Sequence, residues 1–195
     1  MGFEVAATAR RSADGVRSVS RTRTIASMAL AGCLAGAMAS FIAPICLIVG
    51  VFPKFVITAG AFGAVLGLGV NQALKTDDQR IIHISAGGFA AGGLLAWLFH
   101  SPNADFTAMH LAIIALAGMA ALSYAAGLPR GRAIVVTAVA AILFPITMSM
   151  ITRVPIPSVS GSVLYVAAMM PLLSLIPLLP FAIFGAIVGA LMNWD

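Results

Sequence analysis

Six long apolar runs alternate with short polar breaks along the chain, at residues 25–51, 55–74, 81–100, 110–127, 133–151 and 163–194. A helix needs about 20 apolar residues to cross roughly 30 Å of hydrocarbon, and each run is long enough. The runs are continuously apolar, whereas a strand of a membrane barrel alternates over about ten residues. The pattern predicts an all-α fold: a polytopic transmembrane bundle of about six helices over residues 25–195, preceded by a basic cytoplasmic tail at 1–24. The breaks hold the polar and turn residues: Pro53-Lys54 and segments 75–80, 101–108, 128–132 and 152–162.

Composition agrees. Hydrophobic residues make up 61% of the 195 and charged residues 9%, against roughly 25% charged in soluble domains. So few charges could not cover a water-soluble surface of this size. In lipid the requirement reverses, because exposed apolar side chains meet a matching solvent.

The net charge of +5 is unevenly distributed. Arg10, Arg11, Arg17, Arg21 and Arg23 precede the first run, and no basic patch is interleaved with aromatics. That argues against nucleic-acid binding and for contact with anionic lipid headgroups. With the N-terminus inside, the inner segments hold these five arginines plus Lys75, Arg80, Arg130 and Arg132, while the outer loops hold only Lys54 and Arg153. Such an excess of basic residues sets orientation. The expected location is a bacterial inner (plasma) membrane with a cytoplasmic N-terminus. The last run ends without a basic residue, so its orientation stays open, as does the choice between one kinked helix and two short halves.

The start of the chain does not read as a cleavable signal, which has a 7–15-residue apolar core; here a largely polar, basic segment of 24 residues precedes a run of nearly thirty. Arg10-Arg11 stands too far before that run for a twin-arginine signal, and the opening Met-Gly-Phe-Glu-Val-Ala lacks the Ser/Thr of a myristoylation site. Cys33 and Cys46 share the first run. Thirteen helical residues separate them by roughly 20 Å, too far for a disulfide, so both read as small packing residues.

Lipid gives no hydrophobic drive for helix association, so small residues that let backbones approach carry weight. GxxxG pairs occur at Gly32/Gly36, Gly63/Gly67, Gly88/Gly92 and Gly185/Gly189, and alanine stripes at Ala31/Ala35/Ala39 and Ala117/Ala121/Ala125. These faces either pack within the chain or dock a partner membrane subunit or second copy; the first run, with two small faces, is the docking candidate.

Prolines interrupt two runs. The sixth holds Pro171, Pro177 and Pro180, and the fifth holds Pro145, followed by Thr147 and Ser149. Proline removes an N–H and clashes with the preceding turn. Irregular backbone at membrane depth is tolerated where it is buried or lines a cavity, and broken helices near the midplane form many transporter sites. Pro145, Thr147, Ser149, Pro171 and Ser174 are therefore the candidate substrate cavity. Ala29-Leu-Ala-Gly recurs as Ala115-Leu-Ala-Gly, which would lay the first three spans over the last three as an inverted repeat.

Candidate chemistry is sparse. Every carboxylate (Glu4, Asp14, Asp77, Asp78, Asp105, Asp195) lies in a tail, loop or terminus, and no Lys or Arg sits deep in a run. That disfavours a proton-coupled carrier, which uses an intramembrane carboxylate, and removes the paired acids of general acid–base work. The chain is expected to be no enzyme and to use no cofactor. His100, Asp105 and His110 share one outer hairpin and are weak metal candidates, with no recognised ligand spacing. Ser158 to Ser162 lacks the strand–turn–helix context of a nucleophile elbow, and the glycine-rich stretches lack the Lys and Ser/Thr of a phosphate loop.

Two function classes remain. One is transport: a small permease, or the membrane-embedded substrate-binding subunit of a multi-subunit transporter. In size, span count and the Ala31/Ala35/Ala39 stripe, the chain is similar to the substrate-binding components of energy-coupling-factor vitamin importers, a resemblance that implies an uncharged substrate and a partner that supplies energy. The other class is a non-catalytic scaffold or assembly subunit. A polar cavity at the prolines would favour the first, and a solid interior with a large exposed small-residue face the second.

Overall fold

A computed structural model of the chain describes residues 21–49, 51–100, 108–152 and 178–192. These form α1 (Arg21–Val49), α2 (Val51–Leu74), α3 (Gln79–Leu98), α4 (Ala108–Ala125), α5 (Arg130–Thr152) and α6 (Leu178–Met192), with no strand among the described residues. The tail before Arg21, the loop with Asp105, and the segment holding Pro155, Pro157, Ser158, Pro171, Ser174 and Pro177 lie outside the described residues, as do Trp194, Asp195 and the Cys46 side chain.

Five of the helices are long and apolar enough to cross a membrane. Their outward faces carry large apolar side chains all round the bundle: Leu30 and Leu34, Ile57 and Leu68, Leu94 and Leu98, Leu116, then Ile134 and Ile142 at 69% and 65% exposure. Water would penalise so continuous an apolar surface, whereas lipid matches it. The chain is an all-α, membrane-embedded bundle.

The helices begin earlier than the apolar runs. α1 opens with Arg21 and Arg23, α3 with Gln79 and Arg80, and α5 with Arg130 and Arg132. An apolar run marks only the stretch in hydrocarbon, while backbone hydrogen bonding carries the helix on into the interface. α2 likewise starts at Val51 and takes in Pro53, expected in a break; proline is tolerated in a first turn because no helix carbonyl there awaits its N–H. Of the expected sixth span, the described part is α6, 15 residues or about 22 Å long, with Pro180 in its first turn.

Each helix packs on its chain neighbours, and α6 returns to α1, closing a ring; α2 and α4 also touch across it. All four GxxxG pairs sit at these internal contacts. A Cβ at Gly63 would stand 2.7 Å from the Ser85 carbonyl oxygen, one at Gly67 2.8 Å from Ile82 Cα, and one at Gly92 2.8 Å from Ile114 Cα. A side chain at Gly88 would strike Ala121, one at Gly32 the Phe181 carbonyl, and one at Gly185 the Met28 carbonyl. Gly189 approaches Thr24 and Ile25 while Gly36 approaches Phe181. α6 therefore runs antiparallel to α1, and its end at Met192 lies beside the start of α1.

That end of the bundle gathers the basic residues. The α2–α3 and α4–α5 turns share one geometry. Thr76 N–H donates to the Asn71 carbonyl at 3.0 Å and Leu128 N–H to the Ser123 carbonyl at 3.0 Å, the long-range bond of a Schellman turn. The left-handed residue is Gly127 (φ 68°) in one turn and Lys75 (φ 55°) in the other. Arg21, Arg23, Lys75, Arg80, Arg130 and Arg132 all lie at this end.

Candidate functional site

At mid-height, where a transporter places its substrate, the ring is filled by phenylalanines. Phe62 of α2, Phe89 of α3, Phe144 of α5, and Phe181 and Phe184 of α6 are all buried. Phe62 is the hub, with ring centroids 5.5 Å from Phe89, 5.3 Å from Phe144, 5.2 Å from Phe181 and 6.4 Å from Phe184. Phe144, Phe181 and Phe184 also meet one another at 5.7–6.3 Å. Interplanar angles from 52° to 85° are the tilted and edge-on arrangements that aromatic quadrupoles prefer, each pair contributing about 0.5–1.5 kcal/mol beyond its buried area. Four helices thus meet on one apolar cluster.

Glycines on the facing helices make room for it. The Phe181 ring lies against Gly36 and the Phe89 ring against Gly118. This cluster escaped the sequence reading, which tracked small residues and prolines. Four of its members, Phe62, Phe89, Phe144 and Phe181, lie in four separate apolar runs, and nothing in their spacing along the chain points to a common contact.

Of the expected cavity residues, Pro145, Thr147 and Ser149 lie in α5, and Pro171 and Ser174 lie outside the described residues. Pro145 follows Phe144 directly. The buried Thr147 hydroxyl donates to the Leu143 carbonyl at 2.9 Å, and the Ser149 hydroxyl to the Ile146 carbonyl at 2.8 Å. Both hydroxyls thereby bond their own helix in the turn around the proline, the back-bonding that accompanies helix bending.

The expected docking residues are occupied from within. Ala31, Ala35, Gly32 and Gly36 are buried, and Ala39 packs against the core. The glycine face meets α6, including Gly185 and Gly189, while Ala31 meets Gly69 of α2. Cys33, between these faces, is a half-buried free thiol.

Buried polar side chains missed by the sequence reading hold the helices in register. The Ser85 hydroxyl of α3 donates to the Gly63 carbonyl of α2 at 2.6 Å. Asn71 donates from Nδ2 to the Asp78 carbonyl at 3.0 Å and accepts from the Thr76 hydroxyl at 3.2 Å, while Asp78 caps α3 by accepting from the Arg80 N–H at 2.9 Å. Asn71 could have been found as a carboxamide inside an apolar run just before a polar break. The Ser123 hydroxyl is fully buried with no hydrogen-bond partner.

At the end opposite the basic turns, His100 and His110 come into ring contact at 5.6 Å, with Phe55 against His100. Asp105 lies outside the described residues, among which no group of three or more His, Cys, Asp or Glu is placed to hold a metal. No protein-family model matches the chain, and no curated protein or solved structure matches it.

Proposed function

We propose that the protein is a non-catalytic structural or assembly subunit of a membrane complex, acting through its surface in the bilayer, and that its own centre conducts no solute. The observation that carries this reading is the cluster of Phe62, Phe89, Phe144, Phe181 and Phe184 at mid-height. A solute path needs polar groups converging on a space; among the described residues, tilted and edge-packed rings occupy the centre, and the neighbouring Thr147 and Ser149 hydroxyls bond their own helix. The proposal includes a bacterial inner membrane with the basic end cytoplasmic, supported by the six cations gathered there and the preference of such residues for that side. Anionic lipids are the first partners of that end.

Transport, as a small permease or a substrate-binding subunit of a larger transporter, is the second reading. It is favoured by one observation: Pro145 adjoins Phe144, so a change in the bend of α5 would move one wall of the cluster.

Reconstitution separates the two. Proteoliposomes holding the purified protein are expected to admit small neutral solutes no faster than empty liposomes. Phe62→Ala is expected to lower thermal stability without opening a leak. Solute entry through the native protein, or a leak opened by Phe62→Ala, would favour transport and overturn the structural reading.

A further inference from the structure

The cations at the basic end are unevenly answered. The only carboxylates among the described residues, Asp77 and Asp78, lie in the α2–α3 turn with Lys75 and Arg80, so negative and positive charges balance there. Arg23 leans to the same side, donating to the Gln72 carbonyl of α2. The remaining cations, Arg21, Arg130 and Arg132, gather round the end of α6. Arg132 of α5 donates to the Met192 carbonyl at 3.2 Å. On the other flank, Gly189 meets Thr24 and Ile25 of antiparallel α1, so Met192, one turn further along α6, comes level with Arg21. Arg21 also stands seven residues before Met28, on the stripe of α1 that faces Gly185 and Gly189. A helix C-terminus carries about half a negative charge, which three guanidiniums exceed severalfold. Arg21 and Arg130 are both exposed.

We propose that the end of α6, between Arg21 of α1 and Arg130 and Arg132 of α5, seats the phosphate headgroup of one acidic phospholipid in the inner leaflet. The proposal rests on the reading that the basic end meets anionic lipid, and gives that contact a place and a stoichiometry. It stands whether or not the centre conducts solute. Guanidinium suits the ligand: its planar fork matches phosphate oxygens two at a time, and its five N–H donors exceed what one carbonyl takes. The bond to Met192 already holds Arg132 in place, so less freedom is lost on binding. The surface beside the arginines favours a lipid over free phosphate. Ile134, four residues after Arg130 and so on the same face, is 69% exposed, which sets an apolar contact for acyl chains next to the headgroup position.

The test uses the full chain in nanodiscs of phosphatidylcholine alone and of phosphatidylcholine mixed equally with phosphatidylglycerol. The anionic lipid should raise the unfolding midpoint by a few degrees, because a ligand bound only to the folded state stabilises it. Native mass spectrometry should find one phosphatidylglycerol retained per chain. Inorganic phosphate added to the phosphatidylcholine discs should leave the midpoint unchanged. Arg21→Gln and Arg130→Gln should each weaken retention about fivefold, the contribution of one cation near an anionic surface, and the double variant should lose the midpoint shift. Arg80→Gln, which removes the same charge on the acidic side, should keep both retention and shift. Both leaflets of a nanodisc carry the same lipid, so a reversed orientation in the cell would leave retention unchanged and would be read by fusions at the chain ends instead. An equal midpoint in the two lipids, stabilisation by inorganic phosphate, or a loss in Arg80→Gln matching that of the double variant would overturn the proposal.

Discussion

The guanidinium of Arg132, at the start of α5, donates to the carbonyl of Met192, the last residue of α6, at 3.2 Å. Arg23, in the first turn of α1, does the same to the Gln72 carbonyl near the end of α2 at 2.8 Å. A cation in a first turn opposes its own helix dipole, whereas one beside a helix C-terminus is favourable. Each arginine is therefore poorly placed on its own helix and well placed for the antiparallel neighbour. The same residues that mark the basic side also answer carbonyls left without helical N–H partners.

Because Met192 lies at this end, both ends of the bundle chain share one side. A fluorescent protein fused after Asp195 should be fluorescent and an alkaline phosphatase fused there inactive, with the same outcome for N-terminal fusions. An active C-terminal phosphatase beside a cytoplasmic N-terminus would mean that α6 does not run as described.

Glycine substitutions should divide by location. Gly185→Ala would drive a methyl into the Met28 carbonyl, whereas a Cβ at Gly87 meets nothing within 4 Å. Thermal unfolding in detergent should show Gly185→Ala destabilised by about 1–3 kcal/mol, the range for overpacking. Gly87→Ala should be neutral or stabilised by up to about 1 kcal/mol, from helix propensity. Equal effects at the two sites would contradict the α1–α6 contact.

The α2–α3 turn carries a removable strain. Lys75 holds φ 55°, where glycine has no Cβ penalty. Lys75→Gly should raise stability by up to about 1 kcal/mol, the left-handed penalty it relieves being partly offset by glycine's greater freedom in the unfolded chain. Asn71→Leu, which removes the donor to the Asp78 carbonyl and the acceptor for Thr76, should lower it by about 1–3 kcal/mol. Chemical denaturation in mixed micelles would measure both.

The interhelical bond from Ser85 to the Gly63 carbonyl should contribute modestly. Ser85→Ala is expected to cost about 0.6 kcal/mol and no more than about 2, because the separated helices find other partners in a membrane. Phe62→Ala should cost more, about 3–5 kcal/mol, through the cavity it leaves among four other rings.

The architecture was legible because membrane burial leaves a one-dimensional signal. Continuous apolar runs gave the approximate positions of the six helices among the described residues, and the GxxxG motifs marked Gly32/Gly36 and Gly185/Gly189 as close-packing faces without saying that they meet each other. Helix ends were less legible: Arg21 and Gln79 are helical yet polar, since hydrogen bonding outlasts the hydrocarbon. The centre was not legible at all. Phe62, Phe144 and Phe181 are far apart in sequence, and only the closure of α6 onto α1 brings their rings together. Pro145 drew attention to α5, but its functional reading depended on where the Thr147 and Ser149 hydroxyls point, which sequence does not encode.

The account rests on a bundle that crosses the bilayer with one basic end and a filled centre. Substituted-cysteine labelling on intact cells tests all three together, in a background with Cys33 and Cys46 replaced by alanine. With a membrane-impermeant maleimide, Phe99→Cys and Met109→Cys should react from outside, Thr76→Cys and Arg130→Cys only after the inner face is opened, and Ala140→Cys from neither side. Labelling of Thr76→Cys and Phe99→Cys from the same side, or of Ala140→Cys from either, would contradict it.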